Sequence, residues 1–138
     1  MRAYLDSSVL LRPLLGQAKP LAERSRIESG VTSAITSVEC LRAADRLRLV
    51  GALDDEQVAD LRTQVSAEIA SLEILGLTRG LLQLAAGPFP TVVRALDAIH
   101  VATAVLWRAQ TGPDFVFATH DTQQATAARA LGFDVVGC

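Results

Sequence analysis

The sequence is poor in lysine, in aromatic residues and in cysteine, and each shortage argues against a class of protein. Lys19 is the only lysine, and the other twelve basic residues are arginines. This disfavours enzymes that bind phosphate or form a Schiff base through a lysine at a defined place. Cys40 and Cys138 are the only cysteines. They form no CxxC pattern and are too few for a disulfide scaffold, so we expect a reduced, cytoplasmic setting.

Long apolar runs and excess positive charge are also missing. The most apolar stretch, 92–107, is interrupted by Arg94, Asp97 and His100, and Asp6 interrupts any apolar segment of a signal peptide. We therefore expect no contact with a membrane. The formal net charge is −2. Binding of a nucleic acid would thus depend on local arginines or on a metal rather than on a global positive field.

The apolar residues that are present predict an α/β fold. Half of the residues are hydrophobic but only 4% are aromatic, so the core must consist of Leu, Val, Ile and Ala. Strand-like and helical patterns alternate along a chain of one-domain length, which predicts a mostly parallel central sheet with helices on both faces. The predicted strands are 3–5, 31–35, 72–75, 115–119 and 133–136. The predicted helices are 9–11, 21–28, 37–49, 55–70, 78–85, one that begins between 92 and 96 and ends at 108, and 122–131.

Local patterns predict where several of these elements begin and end. Ser7 or Ser8 is expected to cap the first helix, and Gly30 to break the chain before the second strand. Residues 36–39 match a capping box, with Thr36 as N-cap and Glu39 three residues later. Helices 37–49 and 55–70 are expected to form a helical hairpin.

Four acidic residues occupy positions that a parallel sheet would bring to one edge. Asp6 and Asp121 directly follow predicted strands, Glu39 lies in the first turn of a helix, and Asp97 opens the otherwise apolar stretch 96–104. Ligands of open α/β sheets gather at the carboxyl ends of the strands. Four carboxylates there would repel one another. One or two Mg²⁺ or Mn²⁺ ions would resolve that repulsion and could activate water for phosphodiester hydrolysis.

Each of these acids also has a purely structural interpretation. Asp6 could make an Asx-turn, Glu39 is explained by the capping box, and Asp121 could cap its helix. Asp97 is harder to explain in this way, because its neighbours are apolar. Candidates for contact with RNA phosphates are Arg12, Arg42 and Arg46, although solvated helix residues would look the same. His100 is interpreted as a core residue that donates to a neighbour rather than as a base.

Several short motifs occur in a fixed order along the chain: DSSVL at 6–10, SVE at 37–39, LDAIHVATA at 96–104 and THD at 119–121, followed by Ala127, Ala128 and Gly132. Together they resemble the PIN-domain ribonucleases, in particular the VapC-type toxins of bacterial toxin–antitoxin pairs. The resemblance spans the whole chain. The LDAxH core is its most specific part, and the other motifs gain weight from their order.

The resemblance implies a single domain, 1–138, with a PIN-like three-layer fold and Mg²⁺- or Mn²⁺-dependent endoribonuclease activity. Its catalytic and metal-binding quartet would be Asp6, Glu39, Asp97 and Asp121. Thr119 would help to hold the site, and Ser7 or Ser8 would assist. The resemblance further implies cleavage of structured RNA such as tRNA or rRNA, a homodimer, and a cognate antitoxin that places an arginine or a tail in the acidic groove. His120 stands where the family tolerates variety.

Three other hypotheses compete with this one. A receiver-type or aspartyl-phosphate phosphatase domain needs a lysine late in the chain, where this chain has none. A catalytically silent PIN-like binding module acting through protein partners predicts lost acids, yet all four are present. An interaction protein could act through the helical hairpin alone. Cleavage of structured RNA in the presence of Mg²⁺ or Mn²⁺ would separate the nuclease from all three.

Overall fold

The centre of the molecule, described over residues 1–138 by a computed structural model, is a five-stranded sheet. Its strands are β1 (Arg2–Leu5), β2 (Ser29–Ser33), β3 (Glu73–Leu75), β4 (Val116–Ala118) and β5 (Val135–Val136). They lie in the order β3-β2-β1-β4-β5, and every neighbouring pair is parallel. The predicted parallel sheet is confirmed, and all of its carboxyl ends meet at one edge.

Six α-helices cover both faces of this sheet: α1 (Ser7–Leu14), α2 (Ile35–Leu49), α3 (Asp55–Ala70), α4 (Arg79–Ala86), α5 (Ala95–Thr111) and α6 (Thr122–Ala130). Side chains alternate across a strand. Ala3 and Leu5 therefore pack against α1, α2 and α3, whereas Tyr4 packs with α5 and α6 on the other face. The three-layer architecture follows from this alternation. None of the helices combines the length and apolar character needed to cross a membrane.

The chain between α1 and β2 differs from its prediction. Instead of a helix over 21–28 there is one 3₁₀ turn, Ala22–Arg26, and the strand predicted at 31–35 already begins at Ser29. The reason is pairing with β1, which places Ser29 opposite Arg2. Gly30 does not break the chain. It lies within β2, where an added Cβ would stand 2.6 Å from Leu72 Cδ2 and 2.9 Å from Leu5 Cδ1, so only glycine fits without rearrangement.

Two of the predicted helix caps are also wrong. The N-cap of α1 is Asp6, whose carboxylate accepts a hydrogen bond from the Ser8 backbone N–H. Helix α2 begins at Ile35, so its N-cap is Ala34, which has no side-chain acceptor, and the Thr36 hydroxyl lies inside the helix and bonds to Thr32. Glu39 is therefore not needed for capping. The remaining predicted helices are present with small shifts at their ends, and α2 and α3 form the expected hairpin.

Thr32 connects the two strand ends that lead into Asp6 and Glu39. Its hydroxyl donates to the Leu5 carbonyl at 2.6 Å and lies 2.7 Å from the Thr36 hydroxyl, and both threonines are fully buried. Thr32→Val keeps the shape but removes the hydrogen bonds that the Leu5 carbonyl and the Thr36 hydroxyl share with the Thr32 hydroxyl. We expect a loss of about 1–3 kcal/mol in the free energy of unfolding, measured by urea denaturation.

Thr63→Val is the matched control, because the Thr63 hydroxyl bonds to the Ala59 carbonyl on the exposed face of α3. It should unfold at nearly the same urea concentration as the parent. Equal stability of Thr32→Val and Thr63→Val would contradict the connecting role of Thr32.

Candidate metal centre

The four acids identified in the sequence are delivered by four different elements to the carboxyl edge of the sheet. Asp6 is the N-cap of α1 directly after β1, and Glu39 lies in α2 just after β2. Asp97 lies in the first turn of α5, and Asp121 is the N-cap of α6 after β4. Since β2, β1 and β4 are neighbouring parallel strands, acids far apart in sequence come together.

Asp6 lies at the centre of this group and is 4% exposed. Its carboxylate accepts hydrogen bonds from the hydroxyls of Ser7 at 3.2 Å, of Thr119 at 2.9 Å, and of Ser8. The Thr119 hydroxyl also accepts a hydrogen bond from the backbone N–H of Asp121 at 3.0 Å. Three hydroxyls therefore fix the orientation of the Asp6 carboxylate, and Thr119 connects it to Asp121.

His100 joins Asp6 to Glu39 from beneath. The ring is fully buried, with Nε2 bonded to Glu39 Oε1 and 3.4 Å from Asp6 Oδ1, and with Nδ1 2.8 Å from the Tyr4 hydroxyl. Burial by itself lowers the pKa of His100, but the hydrogen bond to Glu39 and the charges of Asp6, Glu39 and Asp97 outweigh it and raise that pKa. The ring is buried, as predicted, and it lies between the Tyr4 hydroxyl and the carboxylates of the site.

Arg94 joins the other two acids from the solvent side. Its Nε lies 3.1 Å from Asp97 Oδ2, and its Nη2 lies 3.1 Å from Asp121 Oδ2. The second oxygen of Asp97, Oδ1, lies 3.4 Å from the Nε2 amide nitrogen of the buried Gln124. Burial raises the pKa of Asp97, and the charges of Asp121 and Asp6 add to this while Arg94 opposes it. The acids thus form two pairs. His100 lies between Asp6 and Glu39, and Arg94 lies between Asp97 and Asp121.

Sequence reasoning missed Arg94 and Gln124 as parts of the site. Both have a local pattern that could have found them. Arg94 precedes Asp97 by three positions and Gln124 follows Asp121 by three, which are spacings that bring side chains or caps together at the start of a helix. Their contacts across 27 residues, from Arg94 to Asp121 and from Gln124 to Asp97, depend on how α5 and α6 pack.

Of the three candidate phosphate-binding arginines, two lie beside the acidic group and one does not. Arg42 and Arg46 line a groove of about 320 Å³ beside Glu39, between α1 and α2. Arg42 also forms an ion pair with Asp45 at 2.8 Å. Arg12 instead donates to the carbonyl of Ala18 at 3.2 Å and is not among the groove residues. Only Arg42 and Arg46 are therefore placed beside the acidic group.

Another cavity lies between α1, α2 and α3. It measures about 390 Å³ and is lined by leucines with glutamines and Asp60. It holds no cluster of acids or basic groups, so it is not a second metal site.

The donor set at that edge fits a hard divalent cation. Ligand atoms of Asp6, Glu39 and His100 all lie within 4.8 Å of one another, and Asp97 and Asp121 are not part of that group. The buried Gln124 Oε1, on the side chain that contacts Asp97, has no hydrogen-bond partner. Carboxylate oxygens are the preferred ligands of Mg²⁺ and Mn²⁺, and buried unpaired acceptors are rare unless a cation or water satisfies them. Neither cysteine belongs to this group.

Comparison with known proteins agrees with this fold. The family model for the PIN domain matches residues 3–130. The chain is 31% identical to "Ribonuclease VapC46" of Mycobacterium tuberculosis over 96% of its own length and 95% of that relative.

Solved structures share the fold at low sequence identity. FitAcB from Neisseria gonorrhoeae superimposes with a TM-score of 0.68 at 22% identity, covering 98% of this chain and 96% of that one. A toxin–antitoxin complex from Klebsiella pneumoniae gives 0.64 at 15% identity, covering 99% and 96%. With its motifs, its parallel sheet and its quartet of acids at one edge, the chain belongs to the PIN-domain family, in its VapC branch.

Proposed function

We propose that this chain is a Mg²⁺- or Mn²⁺-dependent endoribonuclease, the toxin of a type II toxin–antitoxin system, and that it cleaves structured RNA such as tRNA or rRNA. The observation that carries the proposal is that four elements bring four carboxylates to the carboxyl edge of the sheet, where Thr119, His100 and Arg94 connect them. The ribonuclease name of the 31% identical relative supports the same reaction class.

In this proposal each polar side chain of the site has a defined task. Asp6 and Asp97 are the primary metal ligands, and Glu39 and Asp121 complete the set directly or through water. The hydroxyls of Ser7, Ser8 and Thr119 hold the Asp6 carboxylate in one orientation. A divalent cation in this site would supply activated water for attack and positive charge for the phosphodiester.

RNA and the antitoxin would approach over the groove beside Glu39. Arg42 and Arg46 are the proposed phosphate contacts, because a guanidinium binds phosphate through two parallel hydrogen bonds. Val38 and Leu96 also line this groove, and they are 56% and 46% exposed. Exposed apolar side chains between charged ones suit a protein segment, so a cognate antitoxin is proposed as the second occupant of the groove.

We further propose that the protein is a homodimer and acts in the cytoplasm. We take 1–138 as one PIN domain that pairs with a second copy, which would cover exposed apolar side chains such as Leu82, Leu84 and Val92. The site of action is the cytoplasm, where the RNA substrate and the antitoxin are made. Size-exclusion chromatography with light scattering tests the homodimer, and a monomer at micromolar concentration would contradict it.

Cleavage should require the cation. With purified chain and structured RNA, we expect fragments to appear with Mg²⁺ or Mn²⁺ and to disappear when EDTA exceeds the metal. Adding back Mn²⁺ should restore cleavage. Product ends are a sharper readout, because attack by water leaves a linear phosphate whereas attack by the ribose 2′-hydroxyl leaves a 2′,3′-cyclic phosphate.

Two outcomes would contradict the nuclease. Cyclic phosphate ends or EDTA-resistant cleavage would indicate a different mechanism or a contaminating ribonuclease. No cleavage of total tRNA or rRNA with either metal, by a folded protein free of antitoxin, would favour the catalytically silent binding module instead.

A further inference from the structure

Arg94 occupies the two carboxylate oxygens that the rest of the chain leaves open. Asp97 Oδ1 contacts the buried amide of Gln124, and Asp121 Oδ1 accepts the backbone N–H of Gln124 at 2.9 Å as a helix cap. The remaining oxygen of each acid is Oδ2, and both Oδ2 atoms are bonded to Arg94. A cation that approaches Asp97 and Asp121 from the solvent side would therefore meet the oxygens that the guanidinium already holds.

Arg94 also lies where it can leave. Its side chain is 70% exposed, and the residue is the N-cap of α5, at the end of the irregular segment that follows α4. It gives each carboxylate a single hydrogen bond rather than a bidentate pair, and single exposed ion pairs are weak. With Glu39 and Asp97 it lines a cavity of about 280 Å³. Rotation about its side-chain bonds would open that cavity without movement of the backbone.

We propose that Arg94 is a built-in counter-cation that competes with the divalent metal for Asp97 and Asp121. In the metal-free protein it neutralises part of the repulsion between these acids. It is released toward solvent when a metal binds, so the chain itself sets how much free metal is needed to load the site. The inference rests on the proposed function, since it assumes that the acidic group binds a divalent cation.

Titration of the full-length chain with Mn²⁺ tests this competition. Free Mn²⁺ is counted by electron paramagnetic resonance, a readout that does not depend on cleavage. Arg94→Ala should bind Mn²⁺ about fivefold more tightly than the parent, and Arg94→Gln should do the same. Melting curves should agree, with a larger Mn²⁺-induced rise in Tm for both variants.

Arg48→Ala is the matched control. Arg48 forms an i,i+3 ion pair with Asp45 at 2.9 Å, so this variant removes the same charge from a pair at the far end of α2. Its Mn²⁺ affinity should equal that of the parent, and a gain as large as that of Arg94→Ala would show a nonspecific charge effect and overturn the proposal. The proposal also fails if Arg94→Ala and Arg94→Gln bind Mn²⁺ no more tightly than the parent.

Absence of any Mn²⁺ binding would contradict the proposed function itself. If neither the parent nor the Arg94 variants bound Mn²⁺ at millimolar concentration, the metal-dependent nuclease itself would be wrong, and the competition would fall with it. If the parent binds Mn²⁺ and the Arg94 variants bind it with the same affinity, only the proposed competition is wrong.

Discussion

Asp6→Asn is expected to lower the rate of RNA cleavage at least about 100-fold while the protein stays folded. Asp6 is the most buried of the four acids, at 4% exposure, and its neighbours in the site reach it through Thr119 and His100. An amide keeps the size of the carboxylate but removes its charge and one acceptor oxygen. The cation would then lose its central ligand. Single-turnover cleavage of structured RNA at saturating Mg²⁺ measures the effect.

The folded state of this variant is checked by circular dichroism and thermal melting without metal. Loss of one negative charge relieves repulsion among the four acids, so we expect no large fall in Tm. Asp45→Asn is the control, because Asp45 pairs with Arg42 and Arg48 rather than with the site. Cleavage at the parental rate by a folded Asp6→Asn variant would rule out the metal-nuclease mechanism.

His100→Ala is expected to destabilise the metal-free protein by about 3 kcal/mol. The imidazole is the only group that bonds to both Asp6 and Glu39, and it also pairs with the buried Tyr4 hydroxyl. Its removal leaves two facing carboxylates without a positive partner. This loss is at the lower end of the range for removing one partner of a buried ion pair, because the Glu39 side chain is 18% exposed and water can reach it. Urea denaturation measures the loss.

The pH dependence of this loss has a definite sign. The folded-state pKa of His100 is raised above its ordinary value of 6.5, so the protonated ring stabilises the fold most below that value. This contribution is lost as the pH rises through the folded-state pKa. The parent should therefore exceed His100→Ala by more at about pH 6 than at about pH 9. An equal difference at both would contradict the charged role of the ring.

Two further measurements separate this role from simple loss of packing. Mn²⁺ should raise the Tm of His100→Ala more than that of the parent, because a cation replaces the lost positive charge between Asp6 and Glu39. His120→Ala changes the only other histidine, whose Nδ1 lies 2.8 Å from the Gly137 carbonyl, and should cost only about 1 kcal/mol. If His100→Ala and His120→Ala lose similar amounts of unfolding free energy and Mn²⁺ gives no extra stabilisation, His100 contributes only through packing.

The fold was predictable because its signals are local. Apolar runs followed by helical spacing recur from β1 to α6, and alternation along β1 already separates Tyr4 from Ala3 and Leu5. The helix predicted over 21–28 and the late start of the second strand were wrong because strand pairing overrides local helix preference there. Ser29 lies opposite Arg2 in the sheet, so the chain is extended at that point. The predicted capping box is absent because the helix begins at Ile35, one residue before Thr36, whose hydroxyl bonds to Thr32 in the folded chain.

The sequence by itself determined which acids can meet, because each of Asp6, Glu39, Asp97 and Asp121 follows a strand or opens a helix of a parallel α/β fold. It did not determine how their charge is balanced. His100 reaches Glu39 across 61 residues, and Arg94 reaches Asp121 across 27. Local spacing constrains backbone hydrogen bonds and the buried face of each element. Which side chain satisfies a buried charge depends on the packing of distant elements, and only the tertiary structure decides it.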